Sequence, residues 1–332
     1  MIAGPVSARM GGKVKRESAR MTLPDLAGTM TATADQIFEV PERGALRALA
    51  ARSDRRGLIQ LAGHTGALLA SGLLVAQAAG SLWLAPALLL HGILLTFLFA
   101  PLHETVHRTA FRRRWLNDAT AWVCGLALAL PPEYFRAFHF AHHRHTQDPA
   151  HDPELAVPKP QSRWAYVRHV SGLPYWRSRI ATLTRHARGR VDEPFIPARL
   201  RPRIVREARL YLAVYAFALI VPLAAGSPAA LIFWLVPALL GQPFLRCYLL
   251  AEHTGCPLVA DMLRNTRTTR SLALVRRLAW NMPYHAEHHA CPFLPFHALP
   301  AAHRLLEEKI AIQASGYLAV NREIVSKLAP QA

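Results

Sequence analysis

Apolar residues in this chain are gathered into four long blocks, not spaced as the single stripe of a surface helix. The blocks cover 58–79, 82–101, 208–225 and 229–250, paired around the short uncharged turns Gly80-Ser81 and Gly226-Ser227-Pro228. About twenty residues rising 1.5 Å each match a hydrocarbon layer roughly 30 Å thick. The pattern therefore predicts an all-α integral membrane fold with four transmembrane helices in two hairpins. A fifth apolar stretch, 115–130, lies between Arg112-Arg113-Arg114 and Pro131-Pro132. It is short for a crossing and reads as an interfacial or re-entrant helix. Segment 162–183 interleaves Trp164, Tyr166, Tyr175 and Trp176 with several arginines and reads as surface-lying, as does a short amphipathic stretch near 42–52. Residues 1–40 are basic, poor in aromatics and expected to be disordered. The membrane domain is then 41–310, followed by a tail at 311–332.

Composition reinforces the pattern. The chain has 332 residues, 52% of them apolar, and a mean hydropathy of +0.14. Its formal charge of +18 would ordinarily suggest nucleic acid. The lysines and arginines, however, flank the apolar blocks, so the charge is read as membrane-facing and no nucleic-acid partner is expected. Neither turn carries Lys or Arg, while the N-terminus, the 102–207 connection and the C-terminal tail are arginine-rich. The positive-inside rule places those three segments in the cytoplasm, with a bacterial inner membrane as the expected location. No secretory signal is visible. The cysteines, Cys124, Cys247, Cys256 and Cys291, form no C-x-x-C pair and indicate neither a disulfide framework nor a zinc knuckle.

Histidine changes the picture. Nine of seventeen histidines fall in three clusters and one outlier: His103/His107, His139/His142/His143, His285/His288/His289, and His253. Two clusters share the spacing His-x-x-His-His. Residues three and four apart lie on one helix face, so each cluster can aim its imidazoles at one point. Together they offer too many ligands for one metal ion. The chain reads as a two-metal enzyme, its site held by a cytoplasmic helical cap folded over the span ends. Imidazole alone does not choose among zinc, copper, iron and nickel. Ligating histidines usually donate their second ring N–H to a carboxylate or carbonyl. Glu104, Asp148, Asp152, Glu252 and Glu287 stand beside the clusters, and Asn281 lies one turn before His285, able to ligate directly or through water. His64 and His91, inside the first two blocks, are read as helix-packing residues.

His103-Glu104-Thr105-Val106-His107 also matches H-E-x-x-H, so a membrane zinc protease is a remote alternative. That reading leaves both His-x-x-His-His clusters unexplained. Metal storage or transport without catalysis is a further alternative.

As a set, these motifs resemble the membrane fatty acid desaturase superfamily, with its related hydroxylases. The residues carrying the resemblance are His103-Glu-Thr-Val-His107, the run from His139 through His142-His143 to Asp148, Glu252-His253-Thr-Gly, and Asn281-Met-Pro-Tyr-His285-Ala-Glu-His288-His289. The resemblance runs from about 58 to about 305. It implies four spans beneath a cytoplasmic cap and a histidine-held di-iron centre. It further implies O2-dependent introduction of a double bond into a fatty acyl or lipid chain, inside an apolar tunnel lined by the spans and the 115–130 helix. A hydroxylase or monooxygenase of a lipid or small hydrocarbon is the alternative on the same scaffold. Electrons would come from a separate donor, of ferredoxin, rubredoxin or cytochrome type, with its reductase.

Overall fold

The computed structural model describes residues 40–329; the expected N-terminal disorder falls almost wholly outside them. Three helical stretches are long and apolar enough to cross a membrane, at Asp54–Gln77, Leu84–His107 and Leu231–His253. The first is α2, after α1 at Val40–Ala48; Ser53 caps it by accepting the Arg56 amide at 3.3 Å. The second divides at Phe97-Leu98 into α3 (Leu84–Thr96) and α4 (Phe99–His107). The third opens with a wide turn at Leu231–Leu235, ahead of Pro237, and continues as α10, Val236–His253. A proline ring clashes with the preceding turn of a regular helix, and widening that turn relieves the conflict.

The first two stretches pack as the expected hairpin, α2 on α3. The expected second hairpin is opened. Block 208–225 lies in a 24-residue helix, α9 (Arg201–Ala224), which packs chiefly on α8 (Leu173–Ala187); α10 packs instead on α3. The reason is a wedge. The 115–130 stretch forms α5, Arg114–Leu128, too short for a crossing. Its last carbonyls would be left without partners inside the protein, at about 1–3 kcal/mol each. Tyr215 Oη donates to the Leu126 carbonyl (2.7 Å), Trp234 Nε1 to Ala127 (3.0 Å) and Tyr175 Oη to Leu128 (3.1 Å). Donors from α8, α9 and the wide turn thus gather around one helix end.

His64 and His91 behave as packing residues. His64 Nε2 meets the Leu94 carbonyl at 3.0 Å, and His91 bridges Ser71 Oγ (2.8 Å) and the Phe233 carbonyl (3.1 Å). The α1 helix differs from expectation: it carries Leu46 into the main core with Phe111, Trp280 and Leu299, so it is docked on the protein. Segment 162–183 keeps Trp164, Val167, Leu173 and Ile180 exposed, as read from sequence. The fold departs from all-α in one detail, a two-stranded parallel sheet pairing Thr268–Arg270 with Gln313–Ser315. Behind it, Trp280 and Asn281 both take left-handed backbone (φ 50° and 58°), turning the chain into the last histidine cluster.

Candidate metal centre

Four segments bring the nine histidines together. His103 and His107 sit on α4, which ends where Arg108 turns left-handed (φ 60°). Arg136 fixes that end against α6 (Pro132–His145). Its Nε donates to the Val106 carbonyl at 2.9 Å, and its other arm reaches Asp118 at 3.2 Å beside Arg108. One turn later α6 presents His139, His142 and His143. His253 closes α10, whose terminal carbonyls are taken by the Arg267 guanidinium on Ala251 and Thr254 and by Gln147 Nε2 on His253 itself (2.8 Å). The last cluster forms the short helix α13, His285–Ala290.

The rings assemble into two adjoining groups. Ring nitrogens of His103, His107, His139, His143 and His288 all lie within 4.8 Å of one another, as do those of His142, His253 and His289. His285 joins the second group, its Nε2 3.1 Å from His253 Nε2. The groups meet where His143 and His289 stack with centroids 4.1 Å apart. Each His-x-x-His-His box is therefore divided, contrary to the expectation that a cluster aims at one point. On α6, His139 and His143, four apart, serve the first group and His142 the second. On α13 the use is reversed: His288 serves the first, His285 and His289 the second. Successive helical residues point about 100° apart, so three such histidines straddle two neighbouring points more readily than they converge on one.

Hydrogen bonding among the rings cannot account for this packing. Nε2 of His139 lies 2.8 Å from His107 Nε2 and 3.0 Å from His143 Nε2, which is 3.1 Å from His288 Nε2. Each ring nitrogen of a neutral imidazole carries either one N–H or one lone pair, so the nitrogens of His139 and His143 cannot each serve two contacts, and at most two of the three are hydrogen bonds. Among the described residues, neither nitrogen of buried His103 has a hydrogen-bond partner, nor does Nε2 of His289. Metal–imidazole bonds of about 2.1 Å would set neighbouring nitrogens about 3 Å apart at a right angle, the spacing found here. The donor set fits a pair of metal ions.

Electrostatics agree. Burial and mutual repulsion hold His139, His143, His285, His288 and His289 well below the usual imidazole range, leaving them neutral with lone pairs to offer. Burial pushes His142 the same way, but Glu154 and Asp152 outweigh it and raise His142 above its ordinary value. Asp152 accepts from His142 Nδ1 at 2.9 Å, which turns the Nε2 lone pair toward the second group. Thr146 Oγ1 partners His289 Nδ1 at 3.2 Å.

The other carboxylates divide. Glu252 lies 3.6 Å from His285 Nε2, beside the second group. Glu104 accepts from Thr109 Oγ1 (2.7 Å) and the Phe296 amide (3.0 Å), reaching neither a histidine nor an arginine. It does not line the cavity, so the H-E-x-x-H motif has no base facing a substrate. Glu287 binds His303 Nδ1 and Thr268 Oγ1. Asp148 lies on the surface with His151 (2.7 Å), away from both groups. Asn281 gives its amide to the Phe296 carbonyl (3.1 Å) and belongs to neither group; it is a turn residue, a conformation asparagine tolerates. Sequence reading missed Glu154, 3.4 Å from His142 Nε2 and paired with Lys159. Its only signal was its place two residues after Asp152.

A cavity of about 230 Å³ reaches His103, His139, His142 and His285. Phe99, Leu130, Phe135, Phe138, Leu249 and Leu250 make its apolar wall; Leu130 is its one residue from the 115–130 stretch.

The fatty acid desaturase family model matches residues 81–320, most of the chain and every histidine of both groups. The chain belongs to the fatty acid desaturase family. It is also 31% identical over 100 residues to an sn-1 oleoyl-lipid 12-desaturase of Picosynechococcus sp.. That match spans 28% of this chain and 29% of the cyanobacterial protein. Three of its helical stretches are long and apolar enough to cross a membrane.

Proposed function

We propose that the protein is an integral-membrane, O2-dependent di-iron desaturase of a fatty acyl or lipid chain. The observation that carries this reading is the reciprocal division of the two His-x-x-His-His boxes between adjoining groups of closely packed imidazoles. His103, His107, His139, His143 and His288 would hold one ion; His142, His253, His285 and His289 the other. Among the carboxylates, Asp152 would orient His142, with Glu252 and Glu154 close to the second ion. Iron bound there would supply the oxidant that an unactivated C–H bond requires. Desaturation takes two hydrogens from the chain and, with two electrons and two protons, reduces O2 to two waters. The chain's own residues do the rest. Phe99, Phe135 and Leu250 hold the acyl chain against the histidines and exclude water, while Asp152 and Thr146 fix ring orientation.

The proposed topology has four crossings, α9 being the third in order, with the histidines, N-terminus and C-terminus on the cytoplasmic side of a bacterial inner membrane. Arginine-rich surface on that side suits an acidic electron donor, a ferredoxin, rubredoxin or cytochrome-type protein with its reductase. The test is lipid mass spectrometry of a host expressing the protein or its His142→Ala variant. Products two hydrogens lighter, absent with the variant, are expected. Products one oxygen heavier would replace desaturation by hydroxylation, and unchanged lipids with one zinc per chain would overturn both.

A further inference from the structure

The cavity carries charge of both signs. Besides the histidines and the carboxylates Glu154 and Glu252, it is lined by Lys159, Arg179 and Arg246. Glu154 is taken by Lys159, and Glu252 lies against His285. Neither Arg179 nor Arg246 has a carboxylate within ion-pair distance among the described residues. Arg246 sits inside an apolar helical stretch, Leu231–His253, where a cation is costly. Its Nε donates to Gln242 Oε1 (3.0 Å), and its guanidinium lies 4.3 Å from the centre of the Tyr175 ring. The Arg179 guanidinium approaches Tyr175 and Tyr134, at 5.8 and 5.4 Å.

Donors without acceptors adjoin its wall. Arg179 Nε is buried with no hydrogen-bond partner among the described residues, while its Nη2 donates to Ser178 Oγ (3.3 Å). Behind the lining, Gln242 Nε2, on the side chain that accepts from Arg246, and Trp176 Nε1, beside Tyr175, are likewise without partners among those residues. Each unmet buried donor costs free energy, and all three lack the same thing, an oxygen acceptor. Planar guanidinium groups bind carboxylate and phosphate oxygens through paired N–H donors, and both arginines are already oriented by aromatic faces.

We propose that Arg179 and Arg246 form an oxyanion subsite for the substrate's head, so that the substrate is an amphiphile bearing a carboxylate or phosphate. This deepens the desaturase reading and rests on it for the word substrate. The head binds at the arginines, its chain runs along Phe99, Phe135 and Leu250, and the carbon reaching the histidines is counted from the anionic end.

Binding without turnover separates this subsite from the chemistry. Metal-loaded full-length protein in a nonionic detergent is titrated, without reductant, with dodecanoate, dodecyl phosphate and methyl dodecanoate. At least one anion is expected to bind ten-fold or more tightly than the ester, and the better of the two names the source, free acid or lipid phosphate. Arg246→Gln and Arg179→Gln should each narrow that preference to three-fold or less while leaving ester affinity and metal content unchanged. Arg177→Gln, an exposed arginine of α8 outside the cavity, should keep the full preference and so controls for general charge. Equal binding of anion and ester, or a preference kept in both cavity variants, would overturn the subsite. Anion preference without any lipid product would leave the subsite standing and fail the desaturase reading instead.

Discussion

At the scale of single residues, Asp152 shows how a side chain outside the proposed ligand set acts on it. Its Oδ1 accepts from His142 Nδ1 while its Oδ2 accepts from the Gln147 amide, so the carboxylate fixes both a ring and the loop after α6. Asp152→Ala should lower bound metal or turnover about 10–100-fold, the usual cost of removing such a partner. Asp152→Asn keeps one acceptor and should fall between. The measurement is metal per chain by mass spectrometry together with the rate of lipid product formation; native metal content and rate in Asp152→Ala would show that His142 needs no orienter. The histidines were legible because spacing alone betrays them. Their partners were only half legible. Asp152 reaches His142 across ten positions, and Glu287 turns to His303 across sixteen, because loops with no periodicity decide where those carboxylates point. Asn281 stands outside both groups for the same reason: one turn from His285 by helical counting, it lies in a left-handed bend that breaks the count.

At the scale of elements, hydropathy located the helices well and their partners poorly. Blocks of apolar residues mark where backbone must satisfy its own hydrogen bonds, and helices formed there. Which helix packs on which depends on small residues that hydropathy ignores. The α3–α10 contact is set by Gly92 and Gly241: a Cβ on Gly92 would stand 2.2 Å from the Pro237 carbonyl oxygen, and one on Gly241 2.0 Å from the Gly92 oxygen. Only backbones without side chains approach so closely. Gly241→Ala must push the helices apart, and α10 carries His253 at its end. A loss of about 1–3 kcal/mol is expected from overpacking, read as an earlier unfolding midpoint in detergent, with reduced metal content. Gly66→Ala on α2 has open space around it and should be close to neutral or slightly stabilising. Equal effects of the two substitutions would mean that helix propensity, and not the close approach, governs both.

At the scale of the whole molecule, the remaining question is which side of the membrane each end of α9 faces. It is the expected crossing set apart from the other three. It begins at Arg201 with Arg203, Arg206 and Arg209 in its first half, and ends near Ser227 with Phe217, Ile220 and Leu223 exposed. The arginines favour the side that the positive-inside rule assigns to the histidines, and the exposed apolar end favours lipid. Tyr211 Oη on the Trp122 carbonyl (2.9 Å) ties it to α5, and Glu207, accepting from the Glu133 amide (3.0 Å), ties its arginine half to the start of α6. If α9 crosses, Ser227 and Ser81 lie on one face of the membrane and Ala150 on the other. Single cysteines at these positions, in a background lacking Cys247, should then sort cleanly in intact cells. Ser81→Cys and Ser227→Cys should react with a membrane-impermeant maleimide, and Ala150→Cys only after lysis. Labelling of Ser81→Cys but not Ser227→Cys would leave α9 embedded without crossing, and three spans would put the two chain ends on opposite sides. With α9 crossing, all four histidine-bearing segments reach the centre from one side, as their nitrogen–nitrogen distances require.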